Sequence, residues 1–326
     1  MKRNMKRLEP AGLFACDGAG GPPESTKPEG KKPKGMKEER MRFRQMTYCQ
    51  FKQAMMIAVI MLALPASIGA AIAQEAPALP DDPVAKGLAI AEETERRDEG
   101  FGDSRASMQM ILENAYGETS ERELRSMTLE KPAADEGDWT LNVFDRPRDV
   151  EGTALLTYAN ILEPDDQWMY LPAVARVKRI SSVNKSGPFM GSEFAFEDFS
   201  STEVGKYSYT WLRDEACPEP VADRTCHVVE RTPLYEHSGY TRQITWTDTV
   251  DYQARKVDYY DRKDALLKTL MLTDYRLYQD KYWRAHDLFM ENHVTGKSTR
   301  LVWEDFAFAT GLTDNDFSTN ALKRAR

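Results

Sequence analysis

About eleven short stretches of alternating apolar and polar residues, one after another, constrain this chain more than anything else in it. Met108, Met110 and Leu112 alternate with Ser107, Gln109 and Ile111, Tyr116-Gly117-Glu118 turns the chain, and Met127 and Leu129 alternate on the return. The pattern recurs at Trp139-Leu141-Val143, Ala154-Leu156-Tyr158, Tyr207-Tyr209-Trp211, Ile244-Trp246, Val257-Tyr259, Leu270-Leu272, Leu288-Met290 and Leu301-Trp303. Successive side chains of a strand point to opposite faces, so this period marks strands buried on one side and wet on the other. The gaps are of hairpin length and hold no crossover helices, which makes the sheet antiparallel. So many strands in one sheet must curl. The expected fold is mainly β (α+β), a curved antiparallel sheet around one or a few helices. No Pro/Ser-rich linker interrupts residues 80–322, so 74–326 reads as one domain.

One stretch has clear helical spacing. Asp81-Asp82-Pro83 supplies an acidic cap with proline in the first turn. Val84, Gly87, Leu88 and Ala91 then form an i, i+3, i+4, i+7 stripe, and Gly100-Phe101-Gly102 ends the helix. That stripe is expected to lie on the concave side of the sheet.

Residues 1–45 are rich in Lys, Arg, Gly, Pro and Glu and read as a disordered or non-native extension. Residues 46–73 read as a cleaved signal peptide. Arg42, Arg44 and Lys52 precede the apolar run Ala54 to Ala73, which ends in Ala71-Ile72-Ala73 just before Gln74. The run approaches the length of a membrane span, but Pro65 and Gly69 interrupt it. The mature chain is therefore expected in the periplasm. Of 44 Lys+Arg and 52 Asp+Glu in all, 13 and 6 precede Gln74, so the remainder is strongly acidic. An acidic chain lacks the cationic footprint that nucleic acid requires.

Cys16 and Cys49 fall in the part expected to be lost, leaving Cys217 and Cys226 around PEPVADRT. With strand-like residues on both sides, a disulfide across a hairpin mouth is expected, as suits an oxidising compartment. The alternative, a metal site using Cys217, Cys226 and His227, lacks a second CxxC or HxxxH element.

Catalytic signatures are missing. Gly102-Asp103-Ser104 resembles the start of one esterase class, but no histidine has aspartate three residues earlier. His227, His237, His286 and His293 are scattered, and no GxSxG, P-loop or dinucleotide fingerprint follows Ala73. Glu197-Asp198 and Glu304-Asp305 could pair for acid–base work, but carboxylates at strand ends and turns are usually solvated. The expectation is a non-enzyme without cofactor or metal.

The corner Ser186-Gly187-Pro188-Phe189-Met190-Gly191-Ser192, followed by Phe194, Phe196 and Phe199, sets large apolar side chains among small flexible residues. Such a cluster can fill a core, or it can serve as a flap (Gly187, Phe189, Met190, Gly191 and Phe194) over an apolar ligand. The same residues carry a resemblance. GTALLTY, the Trp168-Met169-Tyr170-Leu171-Pro172 segment with Arg176 and Arg179 behind it, and FMGSEFAFEDFS resemble the LolA-like outer-membrane lipoprotein-sorting proteins. SGYTRQITWTD, TGKSTRLVWEDFAF and DNDFSTNAL extend the likeness, which spans Asp82 to Leu322. The resemblance implies a half-barrel, and a periplasmic carrier that shields a lipid or acyl-modified (lipoprotein) cargo. Its partners would be an inner-membrane exporter of the permease type and an outer-membrane acceptor. Leu112, Leu129, Leu141, Trp211, Trp246, Leu270 and Leu301 are the side chains expected to line its apolar cavity. The competing expectation is a non-transporting envelope adaptor, docked on a permease and solid inside.

Overall fold

A computed structural model describes residues 78–131, 136–161 and 163–324. The extension at 1–45 and the signal peptide at 46–73 lie outside the described residues. Within them one antiparallel sheet holds thirteen strands: β1 (Asp103–Glu113), β2 (Thr119–Leu129), β3 (Glu136–Arg146), β4 (Ala154–Asn160), β5 (Asp166–Leu171), β6 (Arg176–Ile180), β7 (Tyr207–Ala216), β8 (Thr225–Pro233), β9 (Arg242–Asp248), β10 (Ala254–Tyr260), β11 (Leu266–Tyr278), β12 (Tyr282–Asn292) and β13 (Ser298–Phe308). Their spatial order, β6-β5-β4-β3-β2-β1-β13-β12-β11-β10-β9-β8-β7, is two meanders joined where β13 pairs with β1. The sheet is curved and its edges β6 and β7 stay unpaired with each other, which is a half-barrel. β6 and β7 follow one another in sequence but lie at opposite edges, so residues 181–206 must cross the sheet between them.

Three strands lie outside the alternating stretches named above: β8, which re-enters after the cysteine loop, and β5 and β6, which divide the aromatic and basic run from Gln167 to Val177. Pro172 lacks an N–H for the ladder; a short 3-10 turn, Pro172–Val174, closes β5, and β6 starts at Arg176.

Helix α1 (Pro83–Asp98) starts as expected, with Asp82 Oδ1 accepting from Ala85 N at 2.8 Å and proline in the first turn. Its buried face matches the expected stripe only at Gly87 and Ala91. Gly87 and Ile90 are buried, while Val84 and Leu88 are 57% and 39% exposed. The helix rests on β7 through Gly87, where a Cβ would come within 2.7 Å of Trp211 N. Backbone meets backbone there, and Ile90 packs beside it on Tyr209 and Val229.

We call the face that carries α1 the inner face. It holds Met108, Met110, Leu124, Phe144, Leu155 and Met290, packed against Phe189 and Phe194 of the crossing segment. The outer face is not simply wet, contrary to the alternation argument. Leu141, Val143, Leu156 and Tyr170 point outward and are covered by Leu312, Phe317 and Leu322, the last in helix α2 (Thr319–Arg324). Cys217 and Cys226 form a disulfide with a Cα–Cα distance of 4.9 Å, packed with Val228 and Trp246 on the same face. Each sulfur is committed to the other, so neither is free to ligate a metal as a thiolate.

Candidate functional site

Strand register builds the site. On the inner face Arg231 of β8 stands between Tyr209 of β7 and Gln243 of β9, and Gln243 stands beside Tyr259 of β10. The inward neighbours two residues away form a second row, Val229, Thr245, Val257 and Leu270. A row of phenols around one guanidinium thus borders a mostly aliphatic row. Both line a cavity of about 1280 Å³ beneath α1, walled on the helix side by Ile90, Ala91, Thr94 and Glu95 and on another by Ser201 to Val204. That exceeds the roughly 300–1,000 Å³ of usual small-molecule pockets.

The wall is more charged than an apolar cavity requires. Glu95 Oε1 accepts from Val204 N at 2.9 Å and Glu203 Oε1 from Asp138 N at 3.3 Å, so three carboxylates gather near the start of β3. Burial raises the Glu95 carboxyl above its ordinary range. Burial, reinforced by the Glu203 carboxylate, pushes Asp138 up to about 7. Burial likewise raises the Tyr209 and Tyr259 phenols. Arg231 Nε donates to Gln243 Oε1 at 2.7 Å, and its guanidinium lies 4.9 Å from the Tyr207 ring centroid.

Of the seven side chains expected around the cavity, Leu270 lines it. Leu112 and Leu301 share the inner-face core with Leu270 but lie where that core is packed. Trp211 sits under α1, with Lys86 Nζ 3.7 Å from its ring centroid. Leu129, Leu141 and Trp246 belong to the outer-face clusters and cannot reach the cavity. The physical reason is that alternation fixes which residues share a face and not which face is concave. Each outer cluster has its own cover, the C-terminal segment or the disulfide loop.

The glycine-rich corner is pinned on the inner face. Phe189 is wholly buried, 5.7 Å from Phe144 between ring centroids, and Phe194 is buried beside it. Glu193 N donates to Thr299 Oγ1 at 3.0 Å, and Arg122 donates to the Met190 carbonyl. Gly191 has φ +79°, which favours glycine, whereas Gly187 does not need a left-handed backbone. Glu197 and Asp198 are not solvated turn residues: Glu197 accepts from Ser238 Oγ and Gly239 N, and Asp198 from Tyr240 and Lys268. Asp103 of the Gly-Asp-Ser string accepts from Thr310 N at 2.7 Å and ties the end of β13 to β1.

Sequence reasoning missed Arg231, Tyr209, Tyr259, Glu95, Asp138 and Glu203. Tyr209 was legible as an alternating strand residue. Arg231 offered one signal, a cation at the same parity as Val229.

A family model described as an uncharacterized protein matches residues 136–324. No curated protein sequence matches the chain. Among solved structures, a domain from Vibrio parahaemolyticus described as outer membrane lipoprotein-sorting is 54% identical with a TM-score of 0.71, covering 74% of this chain and 100% of that one. A DUF1329 family protein from Desulfovibrio piger is 30% identical with a TM-score of 0.69, covering 74% and 99%. A LolA superfamily protein from Nitrosomonas europaea, 17% identical with a TM-score of 0.58 over 72% and 98%, shares the fold.

Proposed function

Because the chain belongs to the family of the Vibrio lipoprotein-sorting domain and the Desulfovibrio DUF1329 protein, we propose that it is a periplasmic carrier of a lipid or acyl-modified cargo, held beneath α1. The observation that carries this reading is the cavity of about 1280 Å³ on the inner face. An acyl chain laid along Val229, Val257, Leu270 and Leu272 leaves water at about 0.8 kcal/mol per buried CH₂, without directed hydrogen bonds. The pattern of polar groups around that strip then fixes the head of the cargo. An inner-membrane exporter would load it and an outer-membrane acceptor would take it. Entry and exit require α1 or the crossing segment to shift, and Gly187 to Gly191 is the stretch of that segment proposed to yield.

The adaptor reading gains from one feature, the packed inner face at Phe144, Phe189 and Phe194. Transfer of a fluorescent phospholipid between donor and acceptor vesicles separates the two. A carrier accelerates transfer in proportion to its concentration. An adaptor leaves the spontaneous rate unchanged, and that result would overturn the carrier reading.

A further inference from the structure

The strongest unexplained group in the molecule is Arg231. Protein surrounds its side chain, yet it keeps accessible surface, because that surface faces the cavity. Among the described residues no carboxylate lies within 4.0 Å of its guanidinium. Its one hydrogen bond within the described protein runs from Nε to Gln243 Oε1, leaving the Nη groups without a protein acceptor. Arg255 of β10, by contrast, is paired with Asp248 and Asp251. A guanidinium withdrawn from bulk water and left unpaired is costly, and the cost is removed when an anion joins it.

Its surroundings fit an anion at the end of a chain. Tyr209 is its register neighbour on one side and Tyr259 lies one strand beyond Gln243 on the other; neither makes a hydrogen bond through its hydroxyl among the described residues, so two phenol donors line the same row of the cavity. The adjoining row, Val229, Thr245, Val257 and Leu270, is mostly aliphatic. Eight carboxylates also line the cavity, but Glu95, Asp138 and Glu203 cluster at α1 and β3. Asp98, Glu130 and Glu136 are held by Arg284, the Gly100 and Gly102 amides and Lys131, Glu99 ends the helix, and Asp198 is held by Lys268. None of them neutralises Arg231.

We propose that Arg231, oriented by Gln243 and assisted by the Tyr209 and Tyr259 hydroxyls, is the receptor for the anionic head of the cargo. The head is a carboxylate or a phosphate, which a planar guanidinium grips through two parallel hydrogen bonds. The tail lies along the Val229–Leu270 row. This rests on the carrier reading and adds the class of ligand, an acidic amphiphile.

The test uses cis-parinaric acid and its methyl ester, which share one fluorescent chain and differ in head charge, at pH 8. The wild type should bind the acid about tenfold more tightly than the ester, the worth of a charge-assisted hydrogen bond. Arg231→Gln should bring the two within about twofold of each other while leaving ester affinity in place. Should that variant fail to fold, Tyr209→Phe/Tyr259→Phe carries the same test, with the acid preference reduced about threefold. Displacement of the bound acid by phosphatidic acid and not by diacylglycerol identifies a phosphate head, and displacement by oleate alone a carboxylate. Equal affinity for acid and ester in the wild type, or a preference that survives Arg231→Gln, overturns the receptor while the carrier stands. Binding of neither probe overturns the carrier reading and the receptor with it.

Discussion

Lys268 of β11 meets Asp198 of the crossing segment at 2.7 Å, with only 4% and 7% of the two side chains exposed. Lys268 Nζ also donates to the Glu193 carbonyl at 2.8 Å, and Tyr240 donates its hydroxyl to Asp198 Oδ1 at 2.9 Å. The segment that must travel from one sheet edge to the other is thereby fixed at its midpoint by charge as well as by phenylalanine. Removing one partner of a buried pair strands the other in a dry site. Lys268→Met should therefore lower unfolding free energy in urea by about 3–5 kcal/mol, and Lys268→Met/Asp198→Asn should recover part of it. A single variant as stable as the wild type would show that the pair does not hold the segment.

The approach of α1 to β7 depends on a missing side chain. At Gly87 a Cβ would sit 2.7 Å from Trp211 N and 2.9 Å from Thr210 C and N, all backbone atoms that cannot rotate away. Alanine is the better helix former by roughly 0.5–1 kcal/mol, yet here the clash wins. Gly87→Ala should cost about 1–3 kcal/mol and loosen the cavity roof, visible as faster amide exchange in α1. A gain in stability would place the helix farther from the strand.

Asp138 gives the cavity a pH dependence of definite sign. Its carboxyl is raised from 3.8 to about 7, by burial first and by Glu203 second. The folded state therefore binds the proton more tightly than the unfolded chain. The stability this contributes is complete below about pH 4 and is lost as pH rises through about 7. Asp138→Asn keeps an oxygen for Lys131 N and carries no charge. It should be more stable than the wild type at pH 8 by on the order of 1–2 kcal/mol, allowing for solvent in the cavity, and indistinguishable near pH 4. Urea unfolding at the two pH values measures it, and an advantage that grows toward low pH would contradict the assignment.

The disulfide closes a short loop against Val228 and Trp246 on the outer face. Replacing Cys217 and Cys226 by serine should cost about 2–3 kcal/mol, leave two polar atoms in an apolar cluster and not alter ligand affinity, since that cluster lies on the opposite side of the sheet from the cavity. Thermal unfolding of the double variant with a binding titration checks both halves.

The strands, the helix start at Asp82-Pro83 and the cysteine pair were legible because each depends on neighbours in sequence: alternation, a cap, a hairpin. The interior was not. Leu141 and Leu155 alternate across the same strand pair, and nothing local says that Leu155 faces inward while Leu141 meets Phe317 more than 170 residues away. The stripe of α1 was misjudged for a related reason. Gly87 and Ala91 of the stripe meet the sheet, but Val84 and Leu88 do not, because the helix buries the side that lets it come closest, centred on Gly87 and the backbone of β7. Arg231 was hidden because its environment is assembled from β7, β9 and β10, and only the register brings Tyr209 and Gln243 beside it and Tyr259 one strand farther.

Occupation of the space beneath α1 by an acyl chain can be weighed directly. Native mass spectrometry of the periplasmically expressed protein, as wild type and as Leu272→Trp, tests it most directly. Leu272 lines the cavity and is not wholly buried, so an indole there takes up ligand space while the sheet remains intact. The expected result is a lipid adduct on the wild type, restored after delipidation by adding envelope lipid extract, and its loss in Leu272→Trp with an unchanged unfolding midpoint. No adduct on the wild type in the presence of extract, or an adduct of equal abundance on the filled variant, would contradict it.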